Sequence, residues 1–144
     1  MKLSLIFTSI VVLLTSVHAQ LFVTYDAAYG NGSQSLTTVA CSNGPNGLIT
    51  RGFTTFGSLP NFPLIGGAPA VTGFDSPGCG TCWELTYVNA EGVSTSINIL
   101  AIDVATPNYN IALEAMNELT DDQAISLGRA PVTAVQLPAS NCGL

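Results

Sequence analysis

Alternating apolar and polar residues along much of the chain predict a mainly β protein. The pattern is clearest from Ser94 to Asp103, where Ile97, Ile99 and Ala101 fall on one face and polar residues fall on the other. Residues 89–92, Asn-Ala-Glu-Gly, are typical of a turn between two strands. We predict strands over six segments: Phe22–Tyr25, Leu36–Ala40, Val71–Phe74, Cys82–Val88, Ser94–Asp103 and Pro131–Leu137.

Two short helical patterns interrupt the strands. Residues 111–119 place Leu113 and Met116 on one face, and Asn110 precedes them as a candidate N-cap. Residues 120–123 have the spacing of a capping box, and Gly128 is a suitable stop. From pattern alone we expect one small β-barrel domain with one or two short α-helices.

The first residues have the layout of a secretory signal. Lys2 is followed by an apolar run, and Val17-His18-Ala19 offers a small-x-small cleavage site. The apolar run is too short to cross a bilayer of ~30 Å as a helix, so we expect no membrane insertion. We predict a signal peptide at residues 1–19 and a secreted, extracellular domain at residues 20–144.

Removal of that signal leaves an acidic chain. Lys2 and His18 leave with it, and nine Asp and Glu residues then face only Arg51 and Arg129, a net side-chain charge of −7. Nucleic acid is therefore not an expected partner, because phosphate contacts need clustered lysine and arginine. An anionic membrane surface would repel the domain as well.

The same composition excludes several catalytic classes. Without histidine or lysine there is no Ser-His-Asp triad, no Cys-His pair, no Schiff base and no histidine metal site. We expect no metal and no cofactor. Proton transfer would fall to a carboxylate or a tyrosine, which is the chemistry of sugar-active proteins.

Four cysteines in an exported chain indicate two disulfides. Three pairings are open, and spacing alone does not choose among them. Pairing Cys79 with Cys82 would make a redox centre, but such a centre usually opens a helix, and the alternating residues after Cys82 predict a strand. The other interpretation is two long-range staples, one of which would hold the C-terminus through Cys142.

Long ordered segments also match a known family. They are LTTVACSNG at 36–44, GLITRG at 47–52, GCGTCWELTY at 78–87, LAID at 100–103, and NIAL at 110–113 continuing to Leu119 and Thr120. On these residues the chain resembles the cerato-platanin family of small, secreted, cysteine-stapled proteins of filamentous fungi. The resemblance covers nearly all of residues 21–144.

The resemblance implies a six-stranded double-psi β-barrel and the pairing Cys41–Cys79 and Cys82–Cys142. It also implies a protein associated with plant or fungal cell-wall polysaccharide that binds chitin or N-acetylglucosamine oligomers. Such a protein would loosen polysaccharide packing without hydrolysis, as expansins do, and would elicit plant defence through an immune receptor. The chain departs from the family in the segment 88–95, which is longer than expected and should lengthen a hairpin tip.

Asp103 is the first candidate for ligand binding, because it ends an apolar strand where a carboxylate would sit at the barrel rim. By resemblance it matches the acid that expansin-like proteins share with related cellulases; otherwise it accepts hydrogen bonds from turn amides. Tyr25 and Asp26 could offer a ring and an acceptor to a sugar, or serve as a core residue and a turn cap. Asn110 could bind a hydroxyl or an acetamido group in addition to capping a helix.

Three further positions have both structural and functional interpretations. We expect Arg51 to pair with Asp103 or another acid, and Asp75 in Phe-Asp-Ser-Pro to serve the turn, although both remain ligand-binding candidates. We assign Trp83 to the core rather than to a sugar platform, because it follows a disulfide cysteine within a strand. Asn31-Gly32-Ser33 is an N-glycosylation sequon.

Two alternative functions compete with reversible glycan binding. A glycoside hydrolase would need a second carboxylate besides Asp103, with Asp26 and Asp75 as candidates. A surface-active protein that self-associates is the other alternative, since only 8% of the residues are charged. Hydrophobins behave in this way, but they carry eight cysteines.

Overall fold

The structure is a computed structural model that describes residues 19–144, so the predicted signal peptide lies outside the described residues except for Ala19. Six strands close into a barrel in the order β1-β5-β2-β4-β3-β6. The strands are β1 (Leu21–Tyr25), β2 (Ile65–Ala68), β3 (Cys82–Val88), β4 (Ser94–Val104), β5 (Tyr109–Ile111) and β6 (Arg129–Leu137). Two strand pairs, β1 with β5 and β2 with β4, are parallel, and the expected six-stranded double-psi barrel is confirmed.

The β3–β4 hairpin agrees with the alternation in the sequence. It pairs antiparallel over its whole length, from Cys82 opposite Leu100 to Val88 opposite Ser94. At its tip the Asn89 side chain accepts hydrogen bonds from the backbone amides of Glu91 and Val93, so the predicted turn is confirmed. The segment 88–95 therefore forms the hairpin tip, as predicted, and the barrel closes beneath it.

The second half of β4 is buried on both faces. Leu100 and Ile102 are buried as completely as Ile99 and Ala101, although they point to the opposite side. The helix at Leu113–Thr120 packs against β4, and the backbone amide of Cys41 donates to the carbonyl of Ile102 at 3.1 Å along the strand edge. The strand therefore loses its alternation where a second layer packs on it.

Two predicted strands are wrong. Residues 36–38 form a 3₁₀ turn, capped by the hydroxyl of Ser35, which accepts from the amide of Thr37. Residues 71–74 form an irregular loop, in which Val71 is buried and Phe74 is 67% exposed. Both segments contain β-branched residues, but their backbone groups bond in turns and to scattered distant partners, such as Thr54 and Asp103, instead of along a neighbouring strand.

Two short strands escaped the sequence analysis. β2 contains Gly66 and Gly67, which lower strand propensity, and β5 has only three residues. The glycine is needed at 66, because a Cβ there would collide with the carbonyl of Asn110 on β5. Close packing of two backbones thus explains a composition that hides the strand.

The helices are α1 (Leu113–Thr120) and α2 (Ala124–Leu127). Asn110 does not cap α1, because it lies in β5 and pairs with Thr24 and Gly67. The predicted capping box before α2 is also wrong, since Gln123 stands at the N-cap without a side-chain bond. Gly128 does end α2, at a positive φ of 66°. Within residues 19–144, no helix has the length and apolar character to cross a membrane.

The disulfides are Cys41–Cys79 and Cys82–Cys142, as the resemblance implied. The alternative in which Cys79 pairs with Cys82 as a redox centre is therefore excluded. The first bond links Cys41, which lies beside the end of β4, to Cys79 in the loop before β3. The second ties a final 3₁₀ turn, Ala139–Cys142, to the start of β3. Trp83 packs against the core, as predicted, and its indole N–H donates to the hydroxyl of Thr81 at 2.8 Å.

Candidate functional site

A groove with a volume of about 260 Å³ lies where β4 ends against the segment that follows β1. Its lining combines two carboxylates, two aromatic rings and two polar side chains: Asp26, Tyr29, Gln34, Thr38, Phe56 and Asp103. The 3₁₀ turn Ala27–Gly30 directly after β1 brings the first of these residues to the end of β4. The site is therefore built by a barrel strand on one side and by non-strand turns on the other.

Asp103 holds the two sides of the groove together. Its Oδ1 accepts from the backbone amides of Ala40 at 3.0 Å and Val104 at 2.9 Å, and its Oδ2 accepts from the hydroxyl of Tyr29 at 3.1 Å. A carboxylate has about four acceptor positions. The three bonds made to the described chain therefore leave about one acceptor position on Oδ2, beside the groove.

Tyr29 is the side-chain donor to Asp103 within the described residues. The ring is 8% exposed, and its centroid lies 6.1 Å from that of Phe56 in a tilted arrangement. Burial raises the pKa of the Tyr29 hydroxyl well above its usual 10.0, and the charge of Asp103, its hydrogen bond and the charge of Asp26 raise it further. The hydroxyl therefore keeps its proton and remains a donor to the carboxylate.

Asp26 contributes an exposed negative charge to the same groove. Its Oδ1 accepts from the backbone amide of Ala28 at 2.9 Å and so caps the 3₁₀ turn. In the same groove, the side-chain amide of Gln34 donates to the hydroxyl of Thr38 at 3.2 Å. Asp26 thus has the turn-capping role that the sequence suggested, and it also lines the groove.

Two of the predicted ligand-binding residues lie outside the groove lining. Tyr25 is partly buried against the core at the end of β1. Asn110 accepts a hydrogen bond from the hydroxyl of Thr24 at 3.1 Å. Gly67 pairs with Asn110 on one side and with Asp103 on the other, so the two residues lie two strand spacings apart, roughly 10 Å.

Arg51 and Asp75 also lie away from the groove. Arg51 is exposed, and its guanidinium rests beside Gly80; it is not among the hydrogen-bond partners of Asp103 within the described chain. Asp75 adopts a positive φ of 55° and accepts from the backbone amide of Asn46 at 2.8 Å. The side-chain amide of Asn46 also donates to the Asp75 carbonyl at 2.9 Å, so Asp75 serves the turn and joins two loops.

Sequence reasoning missed Phe56 as a lining residue, and it also missed Tyr29, Gln34 and Thr38. The last three lie in turns without periodicity, and their position depends on the packing of residues 26–40 against the end of β4. The one available signal was a tyrosine three residues after the capping Asp26, in a segment too short for a core helix. Between residues 19 and 144, we find no cluster of three or more His, Cys, Asp or Glu side chains that could hold a metal ion.

Comparison with known proteins identifies the family. The family profile described as Cerato-platanin matches residues 21–144, which is nearly the whole described chain. The chain is 48% identical over 121 residues to the "Allergen Asp f 15 homolog" of Arthroderma benhamiae, and the match covers 84% of this chain and 57% of that relative. The chain therefore belongs to the cerato-platanin family, although it spans little more than half of that relative's length.

Two solved structures share the fold. The chain superposes on the crystal structure of cerato-platanin 2 from M. perniciosa with a TM-score of 0.82 at 45% identity, covering 88% of this chain and all of that one. It is also similar to the solution structure of "the fungal elicitor Cerato-Platanin", with a TM-score of 0.73 at 37% identity, covering 85% and 96%. Proteins of this family are small secreted fungal proteins that are named as elicitors and allergens.

Proposed function

We propose that this protein is a secreted, cell-wall-associated module that binds chitin or N-acetylglucosamine oligomers reversibly in the groove around Asp103. Reversible binding would disturb polysaccharide packing without cutting a bond. We propose further that plant tissue perceives the protein as a defence elicitor through an immune receptor. The name of the related elicitor supports this second role.

The observation that carries the proposal is the remaining acceptor position of Asp103. A sugar chain offers a row of hydroxyl and acetamido N–H donors, and a carboxylate is a strong acceptor for them. Asp26 adds a second acceptor, and the Gln34 and Thr38 side chains add a polar edge. Tyr29 and Phe56 are buried and pack against each other, so they fix the floor of the groove beneath these polar groups.

Asp26 and Asp103 line one groove, so hydrolysis is the second candidate function. The hydrogen bonds of the two residues favour binding instead. A general acid must donate a proton to the leaving oxygen, whereas Asp103 accepts from three donors and Asp26 accepts from the amide of Ala28. Both oxygens of Asp103 therefore already act as acceptors in the folded chain, which favours binding over proton donation by this residue.

Self-association at interfaces is a further role that the surface supports. Phe74 is 67% exposed and Ile125 is 71% exposed, and both lie outside the groove lining. Large exposed apolar side chains on a sparsely charged protein favour adsorption to apolar surfaces. This role would be compatible with glycan binding, because it uses different residues.

Calorimetric titration with chitin tetramer tests the binding proposal. The variant Asp26→Asn keeps a good N-cap for the 3₁₀ turn but removes a charged acceptor, so we expect the affinity to fall by about three- to tenfold. Glu91→Gln removes the same charge at the β3–β4 tip, outside the groove, and is the matched control. Equal affinities for the two variants, or no heat with wild type at millimolar tetramer, would contradict the proposal.

A reducing-end assay separates binding from hydrolysis. Incubation of wild-type protein with chitin and β-glucan oligomers should release no new reducing ends above the background. Turnover that disappears in Asp103→Asn, with the fold retained, would establish the hydrolase instead.

A further inference from the structure

The sequon Asn31-Gly32-Ser33 lies between two segments of the chain that line the groove. Ala28 and Tyr29 line the groove just before it, and Gln34 lines the groove just after it. The backbone amide of Gln34 donates to the backbone carbonyl of Asn31 at 2.9 Å. This bond closes a turn and holds the Cα atoms of residues 31 and 34 within ~7 Å of each other. A group attached to Asn31 therefore starts next to the proposed ligand site.

The side chains of the sequon are available in the folded protein. Asn31 and Ser33 are exposed, whereas the backbone of Gly32 accepts from Gly57 at 2.9 Å. The Oδ1 of Asn31 accepts from the amide of Ser33 at 3.1 Å, and its Nδ2 donates to none of the described residues. An N-linked sugar on Nδ2 would thus cost no hydrogen bond that the structure contains.

We propose that Asn31 carries an N-linked glycan whose core folds back into the groove of the same molecule and competes there with external chitin oligomers. The first two sugars of such a glycan are β-1,4-linked N-acetylglucosamine, which is the disaccharide that repeats in chitin. A groove suited to chitin is therefore suited to the glycan core as well. The second half of this inference rests on the proposed function.

The modification is a transfer from a lipid-diphosphate-linked oligosaccharide. A bond forms between Nδ2 of Asn31 and C1 of the first sugar, and the bond from C1 to the diphosphate oxygen breaks. The lipid diphosphate leaves, and the amide proton is taken up by base. The amide nitrogen of Asn31 then carries one remaining hydrogen, and Oδ1 keeps its bond to Ser33.

Tethering makes weak binding of the core effective. A short flexible linker gives an effective concentration on the order of millimolar, which is comparable with the dissociation constant expected for a shallow groove. When the two are equal, the attached core would weaken the binding of free chitin tetramer by about twofold. Trimming of the glycan would open the groove.

Ser33 provides a matched pair of variants for the test. Ser33→Ala removes the sequon without removing Asn31, and Ser33→Thr keeps the sequon. The Ser33 hydroxyl donates to none of the described residues, so both variants should fold. Expressed in a yeast secretory host, wild type and Ser33→Thr should carry a mass increment of an N-glycan, and Ser33→Ala should not. An unmodified wild type in that host would overturn the assignment of Asn31.

Two readouts test whether the glycan occupies the groove. Chitin tetramer should bind Ser33→Ala about twofold more tightly than wild type or Ser33→Thr. In ¹⁵N spectra without tetramer, the amides of Tyr29, Gln34 and Thr38 should shift between glycosylated protein and Ser33→Ala, while Glu91 should not. Equal affinities with shifts confined to residues 31–33 would overturn the inference.

The proposed function and this inference fail in distinguishable ways. If Ser33→Ala binds no tetramer, the proposed function is wrong. The comparison of amides then still decides whether the glycan lies in the groove, because it uses no added sugar. Shifts at Gln34 and Thr38 would support occupation of the groove, and their absence would overturn it.

Discussion

The β3–β4 hairpin and the groove segment, which we define as residues 26–62, are built in opposite ways. In the hairpin, seven consecutive residue pairs from Cys82–Leu100 to Val88–Ser94 follow one register. The groove segment contains 3₁₀ turns and a single isolated bridge between Ser35 and Thr55. Its backbone is held largely by local turns.

The difference shows where each region obtains its structure. The hairpin is specified by local alternation and by the Asn89 turn. The groove segment depends on distant groups: the disulfide to Cys79, the carbonyl of Ile102 and the carboxylate of Asp103. Most of the groove lining lies in the segment whose conformation is least evident from its own residues, as is common for binding loops on a rigid scaffold.

Removing the disulfide that anchors the groove segment should have the largest effect. Cys41 and Cys79 are 38 residues apart, and the double variant Cys41→Ser/Cys79→Ser should lower the free energy of unfolding by about 4 kcal/mol. Denaturant unfolding measures the loss, and hydrogen exchange locates it. We expect amides 36–58 to exchange faster than those of β3 and β4. Uniform exchange across both regions would contradict the difference between them.

Truncating Asp103 should have the next largest effect. Asp103→Ala leaves the amide of Ala40 and the hydroxyl of Tyr29 without their acceptor, so we expect a loss of about 2 kcal/mol in denaturant unfolding. Glu84→Ala, in neighbouring β3, removes a carboxylate without hydrogen-bond partners in the described chain and should cost no more than about 0.5 kcal/mol. Similar losses in both variants would mean that Asp103 does not hold the groove segment.

Raising the pH above about 10 should destabilise the protein by an amount between the effects of Asp103→Ala and of a change at the hairpin tip. Burial raises the pKa of Tyr109 from 10.0 to about 12, and the pKa of Tyr29 also lies above 10.0. The unfolded state loses these protons first, so the stabilisation is complete below pH 10 and is lost as the pH rises toward 12. Thermal unfolding between pH 8 and 12 measures the trend.

Phenylalanine variants divide this alkaline effect between the two regions. Tyr109→Phe removes the contribution of the barrel, and Tyr29→Phe removes that of the groove. Each variant should show a shallower loss of melting temperature between pH 10 and 12 than wild type. Melting curves of equal steepness in all three proteins would contradict the assignment of the alkaline loss to these tyrosines.

A change at the hairpin tip should have the smallest effect. Gly92 has a φ of 79° and no neighbour within 4 Å of a Cβ at that position. Gly92→Ala should therefore cost only the backbone strain, about 1 kcal/mol in denaturant unfolding, and leave the affinity for chitin tetramer unchanged. Glu91→Ala, at the preceding position, is the control for surface effects. A fall in affinity for Gly92→Ala would show that the tip and the groove are coupled.

The sequence predicted those parts of the fold that depend on local pattern. β1, β3, β4 and β6 were found within two residues at each end, because their alternation or apolar content spans several residues. β2 was missed because Gly66 and Gly67 allow close contact with another backbone and have low strand propensity, and β5 was missed because it has only three residues. Long-range packing, which leaves no periodic signal, also explains why Leu36–Ala40 is not a strand.

The candidate site was predictable to a smaller extent. Asp26 and Asp103 were found, one from its neighbourhood near the N-terminus and the other from the end of an apolar strand. Tyr29, Gln34 and Thr38 join them only because the groove segment folds across β4. Tyr25 and Asn110 lie close in sequence to groove features, but the strand register places them elsewhere.

Amide mapping by ¹⁵N NMR with chitin tetramer tests the central proposal most directly. We predict shifts at Ala28, Tyr29, Gln34 and Thr38 with wild-type protein lacking a glycan, weaker shifts with Asp26→Asn, and recovery of the tetramer intact. Unchanged spectra at millimolar tetramer, or shifts confined to the β3–β4 hairpin, would contradict it.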